Sequence, residues 1–146
     1  MKRLWIGPLA VLCVLSSACN RNVTPFTDLP VGISKCGASN EPTLSLREMN
    51  QVKFTAQDAA YTLIFPNPGP NPPPGTPFRD SNGNPVYNFP VGQGNMVTTG
   101  PAAPTTDPQH FRLPNYYKYS IYNGLISGQP PQGTQPCNDP GLHVKD

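Results

Sequence analysis

The sequence predicts an all-β protein: a single antiparallel β-sandwich with long Pro/Gly-rich loops, preceded by a signal peptide and a flexible tether. Three observations predict it. Short runs alternate apolar and polar residues at period two, the pattern of half-buried strands. The 21 prolines and 13 glycines cluster between those runs, where turns are needed. After the N-terminal segment, no stretch carries an apolar stripe at helical spacing; Ala59-Ala60 after Gln57-Asp58 could make one turn at most.

The N-terminal segment is an address. Lys2 and Arg3 give a basic start, and an apolar run follows from Leu4 to Leu15, broken only by Gly7 and Pro8. Ser16, Ser17 and Ala18 then lead to Cys19. A charged start, a short apolar run and a small-residue exit describe a secretory signal. The run is too short for the roughly 20 apolar residues that a membrane-spanning helix needs. Residues 1–18 are therefore read as signal peptide, 19–32 as tether and 33–146 as the folded domain. The tether assignment rests on NRNVTPFTDLPVG, which is polar and proline-broken.

The exit Leu15-Ser16-Ser17-Ala18-Cys19 resembles the bacterial lipoprotein signal. In that family the cysteine is lipidated and becomes the mature N-terminus. The family prefers a bulky aliphatic residue three places before the cysteine; here Ser16 stands there and Leu15 lies one step earlier. The resemblance implies Cys19 as lipid attachment site and a membrane partner reached through the N-terminal lipid. Asn20 is similar to the residue after the cysteine in lipoproteins sorted to the outer membrane, facing the periplasm or the surface. The alternative is cleavage after Ala18, giving a soluble periplasmic or secreted protein.

Removing residues 1–18 takes away Lys2 and Arg3 and leaves eight basic and eight acidic residues. With no net charge and no basic run, nucleic-acid binding has no electrostatic basis. Cys13 and Trp5 leave with the signal. Cys36 and Cys137 remain, and an oxidising compartment favours their disulfide. Closing a loop of about 100 residues contributes about 4–5 kcal/mol in the chain-entropy picture.

Strands are expected at Thr43–Leu46, Gln51–Thr55, Tyr61–Phe65, Val86–Phe89, Tyr116–Tyr122 (its aromatics on one face) and Leu142–Val144. Pro66–Pro85, Thr98–Pro108 and Ser127–Pro136 are expected as loops. Such prolines can offer a polyproline ligand to an envelope protein, or simply prevent edge-to-edge pairing.

From about residue 42 onward, these strands resemble the cupredoxin-like β-sandwich. Val52-Lys53-Phe54 and Tyr61-Thr62-Leu63-Ile64-Phe65 look like its early strand pair. Tyr117-Lys118-Tyr119-Ser120-Ile121 looks like its aromatic strand, and Leu142-His143-Val144-Lys145 like its closing strand. Where copper-binding members have their first histidine and their cysteine, this chain has Tyr61 and Ile121. The resemblance therefore implies a copper-free member without a cofactor.

A different metal site uses His110 and His143, the two histidines, with Cys137, Met49 or Met96 as further donors. It competes with the disulfide for Cys137. Catalytic patterns are absent from the sequence. No nucleophile elbow surrounds any serine, the acids are scattered, and Gly92-Gln93-Gly94 has no following helix to make a phosphate cradle. Tyr116, Tyr117, Tyr119 and Tyr122 could stack a small ligand, or pack across strands. The expectation is a non-catalytic binding or structural domain; the alternative is a copper-binding or electron-transfer protein. The cysteine reading predicts no free thiol at Cys36 or Cys137 in the unreduced, denatured chain. Alkylation of either before reduction, read by peptide mass, would remove the disulfide.

Overall fold

A computed structural model describes residues 26–66, 75–103 and 116–145. Ten strands follow one another: β1 (Thr27–Ser34), β2 (Gly37–Ala38), β3 (Thr43–Ser45), β4 (Asn50–Ala56), β5 (Tyr61–Ile64), β6 (Asn88–Val91), β7 (Met96–Pro101), β8 (Tyr116–Lys118), β9 (Ser120–Asn123) and β10 (Gly141–Lys145). There is no helix among the described residues, so the all-β class holds. The strands form one four-stranded sheet in the order β2-β1-β4-β7, and two three-stranded ladders, β3-β10-β8 and β6-β5-β9.

The purely antiparallel expectation is corrected. β1 runs parallel to β4 over seven register pairs from Thr27–Asn50 to Ile33–Ala56. β10 runs parallel to β3. The remaining ladders are antiparallel.

The first parallel pair also corrects the tether over residues 27–32, because that stretch is most of β1. Val31 and Ile33 are buried and Leu29 packs against the core, while Thr27, Asp28 and Pro30 face outward. This period-two pattern is the signature of a strand. Polar residues and Pro30 masked it. Pro30 is tolerated because β2 pairs only with Ile33 and Ser34, leaving one edge of β1 open at Pro30. Asp28 ties β1 to β4, accepting from Gln51 Nε2 at 2.6 Å and pairing with Lys53 at 3.6 Å.

β4 supplies the cleanest alternation, with Val52, Phe54 and Ala56 buried. β7 begins two residues before a region expected to be loop and runs into it as far as Pro101. Its register against β4 shifts between Gln51 and Lys53, so Thr99 and Gly100 both stand opposite Val52. Gly100 takes a φ of 76°, the left-handed conformation that such a bulge needs. Thr99 Oγ1 accepts the Val52 N–H at 3.1 Å, replacing a ladder bond.

The expected strand Tyr116–Tyr122 is broken at Tyr119. β8 pairs with β10 while β9 pairs with β5, so the chain changes partner at that residue. Tyr117, Tyr119 and Ile121 point inward and are buried; Tyr116 is exposed and Tyr122 half-buried. The aromatics therefore split between two faces. The strand expected at Val86–Phe89 lies at Asn88–Val91, with Pro90 outward on an edge strand.

Side chains from all three sheets meet in one core. Tyr119 lies between Phe54 of β4 (ring centroids 5.5 Å apart) and Phe65 (5.2 Å). Phe65, Phe78 and Phe89 complete an edge-to-face group at 5.6–5.9 Å. Such pairs add about 0.5–1.5 kcal/mol each beyond area burial. Phe78 comes from the first proline-rich stretch, which therefore contributes to the core as well as to the surface.

Strand directions fix two opposite ends. Thr27 opens β1 beside Asn50, near the Leu46–Met49 turn and Lys145. The other end of the same pair is Ile33 beside Ala56, leading to Cys36 and the Gln57–Ala60 turn. An eight-residue strand separates these ends by about 25 Å.

Among the described residues, the buried hydroxyls of Tyr117 and Tyr119 have no hydrogen-bond partner. Burial pushes the Tyr117 hydroxyl up to about 12, against an ordinary 10.0, and pushes Tyr119 up as well. In the unfolded chain both ionise near 10, so their neutral forms favour the fold fully below that pH. That contribution is lost as pH rises through 10 toward the folded values. Two outcomes are expected from urea unfolding. Tyr119→Phe is neutral or stabilising by about 1 kcal/mol, because an unpaired buried hydroxyl is removed. Tyr117→Phe/Tyr119→Phe shrinks the fall in stability between pH 10 and 12. A marked destabilisation by Tyr119→Phe would mean that a buried water satisfies the hydroxyl.

Candidate functional site

Backbone conformation, hydrogen bonds and a disulfide converge at the corner around Cys36. β1 and β2 are joined by the two-residue turn Lys35-Cys36. Its φ values are 48° at Lys35 and 60° at Cys36. A tight hairpin of this kind needs positive φ at both central residues, which is why Asn and Gly usually occupy them. Here neither is glycine, and each costs about 1–2 kcal/mol in that conformation.

Three links hold the turn. Asp58 accepts the Lys35 N–H through Oδ2 at 2.7 Å. The Tyr61 hydroxyl accepts the Cys36 N–H at 3.2 Å and donates to Asp58 Oδ1 at 2.8 Å. The third link is the disulfide to Cys137, whose Cα lies 5.9 Å from that of Cys36, within the ordinary span for such a bond. On the other side, the Cys137 N–H donates to the Ile121 carbonyl at 2.8 Å. The expected pairing of Cys36 with Cys137 is thus present, joining residues 101 apart.

The electrostatics of the corner follow from these bonds. Asp58 sits below the ordinary carboxylate value of 3.8, first because of the Lys35 amide and then because of the Tyr61 hydroxyl. Tyr61 is raised above 10.0 by burial, with the Asp58 carboxylate adding to the shift.

The alternative metal donors are not brought together among the described residues. His110 lies outside the described residues, as does Cys19. His143 stands exposed on β10, its ring 4.8 Å from that of Tyr116. Tyr116 lies over Gly141, where a Cβ would overlap its ring, and its hydroxyl donates to Glu41 at 3.3 Å. Cys137 has no thiolate to offer while it is bonded to Cys36. Met49 occupies the turn before β4, and Met96 is exposed at the start of β7. No group of three His, Cys, Asp or Glu stands close enough to hold a metal among the described residues.

A shallow pocket of about 390 Å³ opens beside β6, lined by Asn88, Pro90, Leu125, Ile126, Ser127 and Gly128. Its wall is pinned to the sheet. Asn88 Nδ2 donates to the carbonyls of Ile126 (3.2 Å) and Gly128 (2.7 Å). Thr62 Oγ1 donates to the Gly124 carbonyl and accepts the Ile126 N–H. These bonds cover the outer face of β5, which is why its four residues are all buried. The pocket is mostly apolar and offers no cluster of titratable groups.

Sequence reasoning found Cys36 and Cys137 and missed Asp58, Tyr61, Thr62 and Asn88. Their roles arise from contacts across 23 to 64 positions, for which spacing along the chain gives no signal. No protein-family model matches the chain, and no curated protein matches it.

The Asp58 shift sets an acid dependence. Its carboxylate favours the fold fully above the unfolded value, and that contribution is lost as pH falls through the folded one, below 3.8. Hydrogen exchange should show the Lys35 and Cys36 amides losing protection as the native protein is taken from pH 5 to pH 2. Asp58→Asn should show weaker protection of both amides at pH 5 and no such step. Equal protection in the two proteins would remove Asp58 from the turn.

Proposed function

We propose that this chain is an envelope lipoprotein whose copper-free, cupredoxin-like β-sandwich serves a non-catalytic binding or structural role. The observation that carries the reading is the disulfide. Disulfide-bonded domains belong to oxidising compartments, which fits a chain led out of the cytoplasm by residues 1–18.

The same corner supports the copper-free reading. Tyr61 and Ile121 stand where copper-binding cupredoxins are expected to carry ligands. Here the Tyr61 hydroxyl bonds the Cys36 amide, and the Ile121 carbonyl bonds the Cys137 amide. A disulfide and its hydrogen bonds thus occupy the neighbourhood in which the resemblance would put a metal. The sandwich reading is supported by Tyr119. Only that residue separates β8 from β9, so the two three-stranded ladders adjoin along the chain there. Its ring packs against Phe54 of the four-stranded sheet.

Anchoring at Cys19 gives the domain an orientation. Eight positions separate Cys19 from Thr27, a reach of at most about 28 Å. The end of the domain that holds Thr27 then lies toward the bilayer, and the disulfide corner faces away from it. An envelope protein or small ligand would meet the corner and the 124–137 segment first.

Intact mass of the chain recovered from membranes tests the anchor. The expected species begins at a multiply acylated Cys19, and Cys19→Ala moves the protein to the soluble fraction. An unmodified N-terminus at Cys19 in a soluble protein would replace the lipoprotein with a periplasmic form. Metal analysis of the same sample is expected to find well under one copper per chain. One copper per chain, lost on His110→Ala or His143→Ala, would make this a metal-handling protein instead.

A further inference from the structure

We propose that the Cys36–Cys137 disulfide is a thiol–disulfide exchange site, opened by a dithiol reductant that attacks Cys137. The disulfide is asymmetric: Cys137 is exposed, and Cys36 is half-buried against the core. Both sulfurs lie near the Ile121 carbonyl, at 3.3 Å for Cys137 and 4.0 Å for Cys36, and the greater exposure of the Cys137 residue favours attack there, with Cys36 as the leaving group. Cross-links that are exposed or strained are the labile ones, whereas inert structural disulfides are neither.

Here exposure and backbone strain coincide. The left-handed Lys35-Cys36 turn holds two residues that disfavour it. Breaking the bond removes one of its three restraints and lets the turn relax. The non-covalent contacts of the rest of the domain do not pass through it. β1 keeps its seven pairs with β4, and the segment after β9 stays pinned by Thr62 and Asn88. Cys137 stays bonded to Ile121 through its amide, so release is confined to the Lys35-Cys36 turn and the exchange takes place on a folded protein.

The step balances within the two partners. A thiolate of the reductant attacks Cys137 Sγ, the S–S bond breaks, and its electron pair goes to Cys36 Sγ, which takes a proton from water. The second thiol of the reductant, as thiolate, then attacks the reductant's sulfur in the mixed disulfide and expels the Cys137 thiolate, which is also protonated. The reductant leaves as a disulfide, having given two electrons. This site is independent of the lipid anchor, since it requires only the disulfide and a dithiol.

The test uses the oxidised full chain, titrated with dithiothreitol at neutral pH, quenched with acid and mapped by peptide mass, with near-UV circular dichroism reporting the fold. Reduction is expected while the native signal persists. Glutathione, a monothiol that stalls at the mixed disulfide, is expected on Cys137. Lys35→Gly relieves the left-handed strain and should shift the equilibrium about tenfold toward the disulfide, matching about 1.4 kcal/mol. Three outcomes would overturn the proposal: reduction only as the native signal collapses, a glutathione adduct on Cys36, or an unchanged equilibrium in Lys35→Gly.

Discussion

The insertion of one ring, that of Tyr119, between Phe54 and Phe65 is the contact on which the rest of this structure depends. Tyr119 is also where the chain leaves β10 for β5, its own amide donating to the Pro140 carbonyl at 3.0 Å. The break in the strand and the centre of the core are therefore the same residue. A strand that continued straight would keep one partner; a strand broken here serves two ladders and sends its side chain into the space between sheets. Phe78 and Phe89 close the remaining sides by edge-to-face contact. A tyrosine in this position carries a hydroxyl into an apolar site, and the structure accepts that cost for the ring's area and shape.

The opposite kind of constraint acts at the Cys36 corner. The aromatic core is held by burial and mutual packing of its members. The Lys35-Cys36 turn, in contrast, lies at the surface in a conformation that its side chains disfavour. It is held there by Asp58, Tyr61 and Cys137, each reaching in from a distant part of the chain. The molecule thus divides its stability in two. Burial secures the sheets, and a few directed bonds secure the exposed end. The second set is the one that solution conditions can change, because a carboxylate responds to protons and a disulfide responds to thiols.

Much of the fold was legible in the sequence. Period-two alternation located β3, β4 and β10, since a half-buried strand must alternate wherever it lies, and a β-branched and aromatic run located β5. Two cysteines bracketing the domain with no competing partner pointed to the disulfide. What escaped was set by neighbours. β1 was hidden behind Pro30 and its polar residues, and its strand character comes from β4 alongside. β7 was hidden behind Gly100 and Pro101, which read as loop until the bulge against Val52 gives each a place. Parallel pairing also cannot be read from alternation, because either direction buries the same face.

By itself, then, the sequence determined the all-β class and the pairing of Cys36 with Cys137, which follow from local periodicity and cysteine arithmetic. Only the tertiary structure decided which strands run parallel, where the aromatic strand breaks, and that Asp58 and Tyr61 guard the disulfide turn. Those features depend on residues far apart in the chain meeting in space, and no local pattern encodes such a meeting.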